Sequence, residues 1–535
     1  MAGVFSEPFL WSTIVLDDRE EYSSRLLPKI NALKRYGHLV KHAELHSWDS
    51  QDICSKRATP EGNDLLLTET LLAQCGSNLA SLHVVDPSIN GRIWRTFMER
   101  IHNNRALEGA KLLNRIRALD ISLSYNGLDL AFQPILVQPN RNPEAAALFA
   151  EVKELRLCRK EASPVGLTWE EELCYDSLSD AEEEWSTTFQ ELVTLFPSLD
   201  KLTLVNIDID DDSDIDEVEE ESVAVTTTRP DYPFHTLNFQ ECCISSRQII
   251  RILRRTRNIQ SLKIGINTSL MGGLEVLIGS LPTLTPFLTE YVQECIHFSD
   301  WSTVLRGLPC LTRLHIAADA QLGDDALEAL AKSCSKLEHL QLHYCKSLTY
   351  RGLHHILRSC AQLKSLKLPM TPVQWDIFEC DSELRCSSTT APSTTTTAPS
   401  PPTAFIPWAC QDTLQELLLT LLEDNFQEHL FAARQRFQSL SRLRELELRG
   451  QKLPVTMLMD LEHQHPSNGP PNALYPALKE LIVQHIYPPV TLDNTIKLVR
   501  SMPNVTRIRS ADGFHVSFDI RSLQWLAENN KLGLQ

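Results

Sequence analysis

The densest set of possible metal ligands in this sequence is an acidic run at positions 208–221, which holds ten carboxylates and no base. Its acids match positions 1, 3, 5, 7, 9 and 12 of a calcium loop, namely Asp208, Asp210, Asp212, Asp214, Asp216 and Glu219. Position 6 of a calcium loop needs glycine for a sharp turn, but here it is Ser213. We therefore interpret the run as a solvated loop and not as a calcium site.

Three histidines, His38, His42 and His46, recur every four residues, which could place imidazoles on one helix face as metal ligands. The apolar residues between them fit a strand instead, and a strand would separate the imidazoles. The sequence also contains no G-x-S-x-G, no phosphate-binding P-loop and no H-E-x-x-H. We predict no catalytic residue, no cofactor and no metal, and therefore a protein that is not an enzyme.

Composition favours a large core without a membrane span. Of the 535 residues 42% are apolar, and no apolar run is long enough to cross a bilayer. The first 22 residues do not resemble a secretory signal, so we expect a cytoplasmic or nuclear protein with reduced thiols at its 14 cysteines. The net charge of −18 makes a nucleic-acid partner improbable.

A repeat with a fixed period dominates the region between Cys310 and Met370. Three units of the form L-x-x-L-x-L are separated by 26 residues each, namely Leu311/Leu314/Ile316, Leu337/Leu340/Leu342 and Leu363/Leu366/Leu368. The alternation predicts a short strand with leucines on its buried side. Leu353, Ile356 and Leu357 follow at helical spacing, so we expect a helix that begins after Thr349 as N-cap.

The same pattern recurs more loosely along most of the chain. The further triplets begin at Val40, Leu79, Ile116, Val152, Leu199, Phe234, Ile259, Leu414, Leu443 and Leu478, with weaker matches at Leu288 and Val505. The repeats resemble the cysteine-containing leucine-rich repeat. They predict an α/β solenoid over residues 23–535, a horseshoe with a parallel sheet on its concave face and helices on its convex face. Two insertions, 208–228 and 387–403, are expected to be disordered.

The residues between the leucines should face the concavity and provide a protein-binding surface. The candidate contact residues are Arg313, His315, His339, Gln341, His343, Lys367, Glu445, Glu447 and Arg449. Ala317, Ser365 and Pro369 lie at equivalent positions. For any one of these residues, direct contact with a partner and simple solvation are equally good interpretations.

The amino-terminal segment resembles the end of an F-box, in which a Pro-x-Leu-Trp element leads into repeats. Pro8, Leu10 and Trp11 match that element, which assigns residues 1–22 to an F-box remnant. The family's earlier Leu-Pro and Val-x-Cys-x-x-Trp elements are not in this sequence. We therefore expect weak or no adaptor binding by the chain as written, whether it lost the F-box or continues upstream.

The resemblance to F-box proteins with leucine-rich repeats implies a function. In that family the F-box binds a Skp-type adaptor of a cullin ubiquitin ligase, and the solenoid holds the substrate for degradation while other subunits catalyse ubiquitin transfer. Two alternatives remain open. One is a free-standing scaffold or inhibitor that uses the same concave face, and the other, more remote, is a GTPase-activating solenoid.

Overall fold

A computed structural model of the chain shows consecutive strand–helix repeats. It describes residues 12–17, 26–46, 70, 74–75, 78–86, 115–123, 149–159, 192–193, 195–207, 232–242, 244–266, 273–294, 298–319, 321–379, 407–422, 426–450, 458, 475–484, 490–510, 520–529 and 531. The chain divides into two compact units, Met1–Leu277 (unit 1) and Ile278–Gln535 (unit 2).

The described residues of unit 1 form eight strands, each parallel to the next along the chain. The strands are β1 (Thr13–Asp17), β2 (His42–His46), β3 (Ser81–Asp86), β4 (Ala118–Leu123), β5 (Glu154–Arg159), β6 (Lys201–Val205), β7 (Thr236–Cys242) and β8 (Ser261–Ile266). Parallel neighbours in chain order require a crossover after every strand, which is the connection that a repeat of this type supplies.

Unit 2 repeats this arrangement with eight further strands in its described residues. They are β9 (Glu290–Gln293), β10 (Arg313–Ala317), β11 (His339–His343), β12 (Ser365–Val373), β13 (Glu416–Leu421), β14 (Glu445–Gly450), β15 (Glu480–Val483) and β16 (Arg507–Ser510). The register of β12 with β13 shifts between Lys367 and Pro372, so β12 bulges there.

The predicted leucine triplets set the strands and their orientation. Leu314, Leu340 and Leu366 are aligned partners on β10, β11 and β12, and all three are buried. The residues that alternate with them are more exposed, as period-two geometry requires. The prediction of an α/β leucine-rich-repeat solenoid is confirmed, and even the weak triplets at Leu288 and Val505 end in strands.

Within the part of the chain that the structure describes, helices form the return legs of the repeats. They are α1 (Leu26–Tyr36), α2 (Ser246–Arg254), α3 (Leu274–Leu284), α4 (Trp301–Arg306), α5 (Asp324–Ser333), α6 (Tyr350–Ser359), α7 (Phe426–Ser439), α8 (Leu492–Ser501) and α9 (Ile520–Glu528). Helix α6 begins where the sequence predicts, because the Thr349 hydroxyl accepts a hydrogen bond from the backbone N–H of Arg351. Its Leu353, Ile356 and Leu357 are buried.

Several repeats have a left-handed residue that is not glycine at or near the end of the strand. These residues are Asn206, Glu241, Ala318, Tyr344 and Met370, with φ between 53° and 58°. The amide of Ala318 donates to the carbonyl of His343 at 2.7 Å, and Asn206 donates to Gln240 at 2.8 Å in the same way. The backbone bond to the following repeat offsets the strain of the left-handed conformation.

The cysteines of the described residues are free thiols, and most are buried. Burial raises the pKa of Cys334 and Cys345 to about 12 and that of Cys360 to about 11. A thiol with such a pKa carries almost no thiolate at neutral pH, so these cysteines act as small apolar core residues.

Some sequence predictions fall on parts of the chain outside the described residues. They include Pro8, Leu10 and Trp11, the acidic run and the two insertions at 208–228 and 387–403. Residues 13–17, which the sequence prediction places in an F-box remnant, form strand β1 in register with β2.

Candidate functional site

The outward positions of β10 to β15 form two aligned rows, which together we call the open face of unit 2. The first row contains Arg313, His339, Ser365, Glu416, Glu445 and Glu480. The second row contains His315, Gln341, Lys367, Leu418, Glu447 and Ile482. Because parallel strands keep equivalent positions side by side, residues far apart in sequence become neighbours along each row.

The end of the open face at β10 and β11 carries the predicted arginine and histidines. Arg313 is exposed, and His315, His339 and Gln341 are partly exposed between the leucines. Burial, with the adjacent Arg313 guanidinium, lowers the pKa of His339 below its ordinary value. The His339 ring is therefore neutral at pH 7 and can both donate and accept hydrogen bonds.

An aromatic and a thioether side chain border this end. Tyr344 and Met370 are 41% and 46% exposed, although both are large and apolar. The Tyr344 ring lies 4.6 Å from the ring of His343, and both Tyr344 and Met370 have the left-handed backbone. Exposed Tyr and Met of this kind are enriched at protein interfaces.

The other end of the open face, on β12 to β14, is acidic around one lysine. Lys367 Nζ lies 2.9 Å from Glu416 Oε2, and the Ser365 hydroxyl donates to the same oxygen at 2.9 Å. Burial alone would lower the pKa of Lys367, but the neighbouring carboxylates, Glu416 first, outweigh it and hold that pKa above its ordinary value. The lysine therefore remains charged while it holds the carboxylates together.

Glu445, also at this end of the open face, is a carboxylate whose surroundings disfavour its charged form. Burial raises its pKa, and the like charges of Glu416, Glu480 and Glu447 raise it further, against the opposing effect of Lys367. Glu416 differs, because its hydrogen bonds from Lys367 and Ser365 outweigh burial and lower its pKa. The charge on Glu445 thus opposes folding at neutral pH.

Glu447 and Arg449 form an ion pair at the edge of the second row. Their Oε1 and Nε atoms are 2.6 Å apart, and Glu447 is only 7% exposed. The sequence predicts both residues as partner contacts, but the structure leaves mainly Arg449 accessible. The sequence prediction did not include Glu416 and Glu480. Each of these residues immediately precedes a leucine of the repeat pattern, and Arg313 has the same position in its own repeat.

On the outward face of unit 1, the aligned positions Glu44, His83, Asp120 and Arg156 on β2 to β5 form a row with a different charge pattern. His83 lies 3.5 Å from Glu44 and 3.7 Å from Asp120, and Arg156 Nη1 lies 3.2 Å from both oxygens of Asp120. Acidic and basic residues alternate along the row, so each carboxylate has a basic residue beside it.

The three histidines considered as metal ligands do not converge. His38 lies in a 3₁₀ helix (Gly37–Leu39), whereas His42 and His46 lie at opposite ends of β2. Four residues along a strand span about 13 Å, which is too far for two ligands of one ion. His42 Nδ1 instead lies 2.7 Å from the Ser81 hydroxyl, within hydrogen-bonding distance.

Comparisons with known proteins add little to this geometry. No family profile matches the sequence, and no curated protein matches it. Among solved structures, an internalin from Listeria monocytogenes is 14% identical, with a TM-score of 0.34 over 68% of this chain and 83% of its own. The Rad7–Elc1 complex of yeast gives 13% identity and a TM-score of 0.31, covering 91% of this chain and 82% of its own.

A third similar structure is the leucine-rich-repeat ectodomain of the receptor kinase GASSHO1/SCHENGEN3 from Arabidopsis thaliana, in complex with CASPARIAN STRIP INTEGRITY FACTOR 2. It is 11% identical, with a TM-score of 0.24 over 88% of this chain and 52% of its own. Likenesses this weak carry no argument about function, and the fold assignment rests on strand order and register. Among the described helices, none has the length and apolar character needed to cross a bilayer.

Proposed function

We propose that this protein binds another protein on the open face of unit 2 and presents it as the substrate-recognition subunit of a Skp–cullin–F-box ubiquitin ligase. The observation that supports binding is the pair of aligned rows, because a broad, partly exposed surface of mixed charge is suited to another folded chain or peptide. Ubiquitin transfer would reside in other subunits.

The two ends of the open face suggest how a partner would be held. Tyr344 and Met370 offer apolar anchors, and anchors of this type contribute most of the binding energy at interfaces. Lys367 and the surrounding carboxylates offer charge complementarity, which orients a partner more than it adds affinity. A partner would therefore place apolar side chains near β11 and charged ones near β13.

The link to ubiquitin ligation is supported by the resemblance of Pro8, Leu10 and Trp11 to the end of an F-box. A complete F-box would supply the helices that bind a Skp-type adaptor and, through it, the cullin. We place the protein in the cytoplasm or nucleus, where these ligases act. The free-standing scaffold or inhibitor uses the same face but no adaptor.

The binding face is tested by a matched pair of charge reversals. Lys367→Glu on the open face and Lys332→Glu on helix α5 both reverse a lysine that pairs with a glutamate. Cross-linked partners would be quantified by mass spectrometry from cells in which the proteasome is inhibited. We expect a defined set of proteins to fall at least fivefold with Lys367→Glu and to persist with Lys332→Glu. Equal recovery with both variants would reject the open face as the binding site.

The adaptor link is tested separately with the chain extended upstream to include a complete F-box. We expect the extended chain to co-purify with the Skp-type adaptor at equal stoichiometry, and residues 1–535 alone to bind it weakly. If the extended chain does not bind the adaptor, the scaffold or inhibitor function is favoured. That result would leave the binding-face test unaffected.

A further inference from the structure

Three potential metal ligands from two successive repeats converge on one side of unit 2. Asp376 lies in a short 3₁₀ helix (Trp375–Phe378) after β12, Glu379 ends that helix, and His429 lies on α7 after β13. One ligand atom from each residue lies within 4.8 Å of the other two. Stacking of the repeats brings positions 376 and 429 together, although 53 residues separate them.

The histidine of this cluster is buried, and one of its ring nitrogens makes no hydrogen bond. His429 is 8% exposed, and its Nδ1 has no hydrogen-bond partner. Glu379 Oε1 lies 2.6 Å from Nδ1, within ion-pair distance, but the two atoms do not form a hydrogen bond. A buried imidazole nitrogen without a hydrogen bond costs free energy, so its position beside two carboxylates requires a reason.

The scaffold around the cluster is firmly packed. Trp375, Ile377 and Phe378 anchor the 3₁₀ helix in the core, and the Trp375 indole donates to the carbonyl of Leu422 at 2.6 Å. Arg436, on the same helix as His429, donates to the carbonyl of Phe378 at 3.2 Å. Both elements that carry ligands are therefore tied to each other independently of the cluster, which makes the arrangement preorganised.

We propose that Asp376, Glu379 and His429 bind a divalent transition-metal ion, with Zn²⁺ as the ion best suited to the site. One imidazole and two carboxylates are typical zinc donors, whereas calcium and magnesium prefer oxygen ligands throughout. His429 would bind through Nδ1, the atom that lies beside the Glu379 carboxylate without a hydrogen bond. Three protein ligands leave a position for water, and the ion would link the return legs of two adjacent repeats.

The site is tested on the full chain by equilibrium dialysis against Zn²⁺ with elemental analysis. We expect one equivalent of zinc at micromolar affinity and a rise in Tm of about 2–4 °C at saturating zinc. His429→Gln should lower the affinity at least tenfold and abolish the Tm shift. Asp376→Asn and Glu379→Gln should also weaken binding, and because these side chains are more exposed they keep the test valid if His429→Gln does not fold.

The matched control is His235→Gln, which removes a histidine that pairs with the carboxylate of Asp200 in unit 1. This variant should bind zinc as the wild type does. X-ray absorption should give nitrogen and oxygen neighbours at about 2.0–2.1 Å, and a sulfur shell at about 2.3 Å would assign the zinc to cysteines and overturn the proposal. Absence of binding at 100 µM zinc, or unchanged binding by both His429→Gln and Asp376→Asn, would also overturn it.

Discussion

The outward faces of the two units share one strand geometry but differ in the arrangement of their acidic and basic residues. In unit 1, His83 lies between two carboxylates and Arg156 lies beside one of them, so acidic and basic residues alternate. In unit 2, Lys367 lies among several carboxylates, of which Glu445 keeps a raised pKa. Strand geometry thus decides which positions face outward, whereas the residue types decide whether acidic and basic side chains alternate or carboxylates cluster around one lysine.

The largest expected effect tests the geometry that both faces share. Leu340→Asp should lower the free energy of unfolding by about 4 kcal/mol, because it places an unpaired charge at a position that is 1% exposed. Gln341→Asp, one residue further along β11 and facing outward, should change it by less than about 0.5 kcal/mol. Chemical denaturation of both variants measures the difference. Similar losses for the two would contradict the alternation of inward and outward positions.

An intermediate effect separates the two charge patterns. Lys367→Met should lower the free energy of unfolding by about 1 kcal/mol at pH 7.5, because Glu416 and Glu445 lose their shared counter-charge. Arg156→Met should cost about half as much, since Asp120 keeps His83 as a neighbour and the Arg156 side chain is more exposed than that of Lys367. Equal losses in urea denaturation would mean that the two faces do not differ in their charge balance.

The smallest effect concerns Glu445. Its folded-state pKa is raised, so the protonated form is favoured by folding, and this contribution is lost as the pH rises through the raised pKa. Glu445→Gln should therefore raise the free energy of unfolding by about 0.5 kcal/mol at pH 7.5, after allowance for solvent screening, and the gain should vanish towards pH 4.

The control for that variant is Glu154→Gln in unit 1, where the carboxylate pairs with Lys201 at 3.5 Å. This change should be neutral or slightly destabilising at pH 7.5. Thermal melts of both variants at pH 4 and pH 7.5 provide the measurement. A pH-independent gain for Glu445→Gln would show that packing, and not the charge of this carboxylate, limits stability.

Much of the fold is predictable because the spacing of the buried leucines can be recognised within a few consecutive residues. The leucines two and three residues from Leu340 predict that its side chain faces inward, and the side-chain oxygen of Thr349 predicts the start of a helix. Strand β1 is harder to predict, because Ile14 and Leu16 alternate without the leucine that begins the other triplets. The F-box resemblance also includes these two residues.

The candidate sites are less predictable because they depend on which repeats become neighbours. Glu416 and Lys367 are 49 residues apart in sequence, and only the parallel register makes them an ion pair. Asp376 and His429 belong to no contiguous motif and meet through packing between successive return legs. Local spacing therefore reveals strands, whereas a site requires knowledge of the length of every insertion between them.

The constant offset between β10 and β11 has a consequence for how this surface can change. Arg313 pairs with Glu290 on one side and with His339 on the other, at equivalent strand positions. Excision of residues 313–338 would therefore bring His339 opposite Glu290 without altering the alternation of any side chain. The set of outward residues can therefore change by removal or duplication of a whole repeat, as well as by single substitutions.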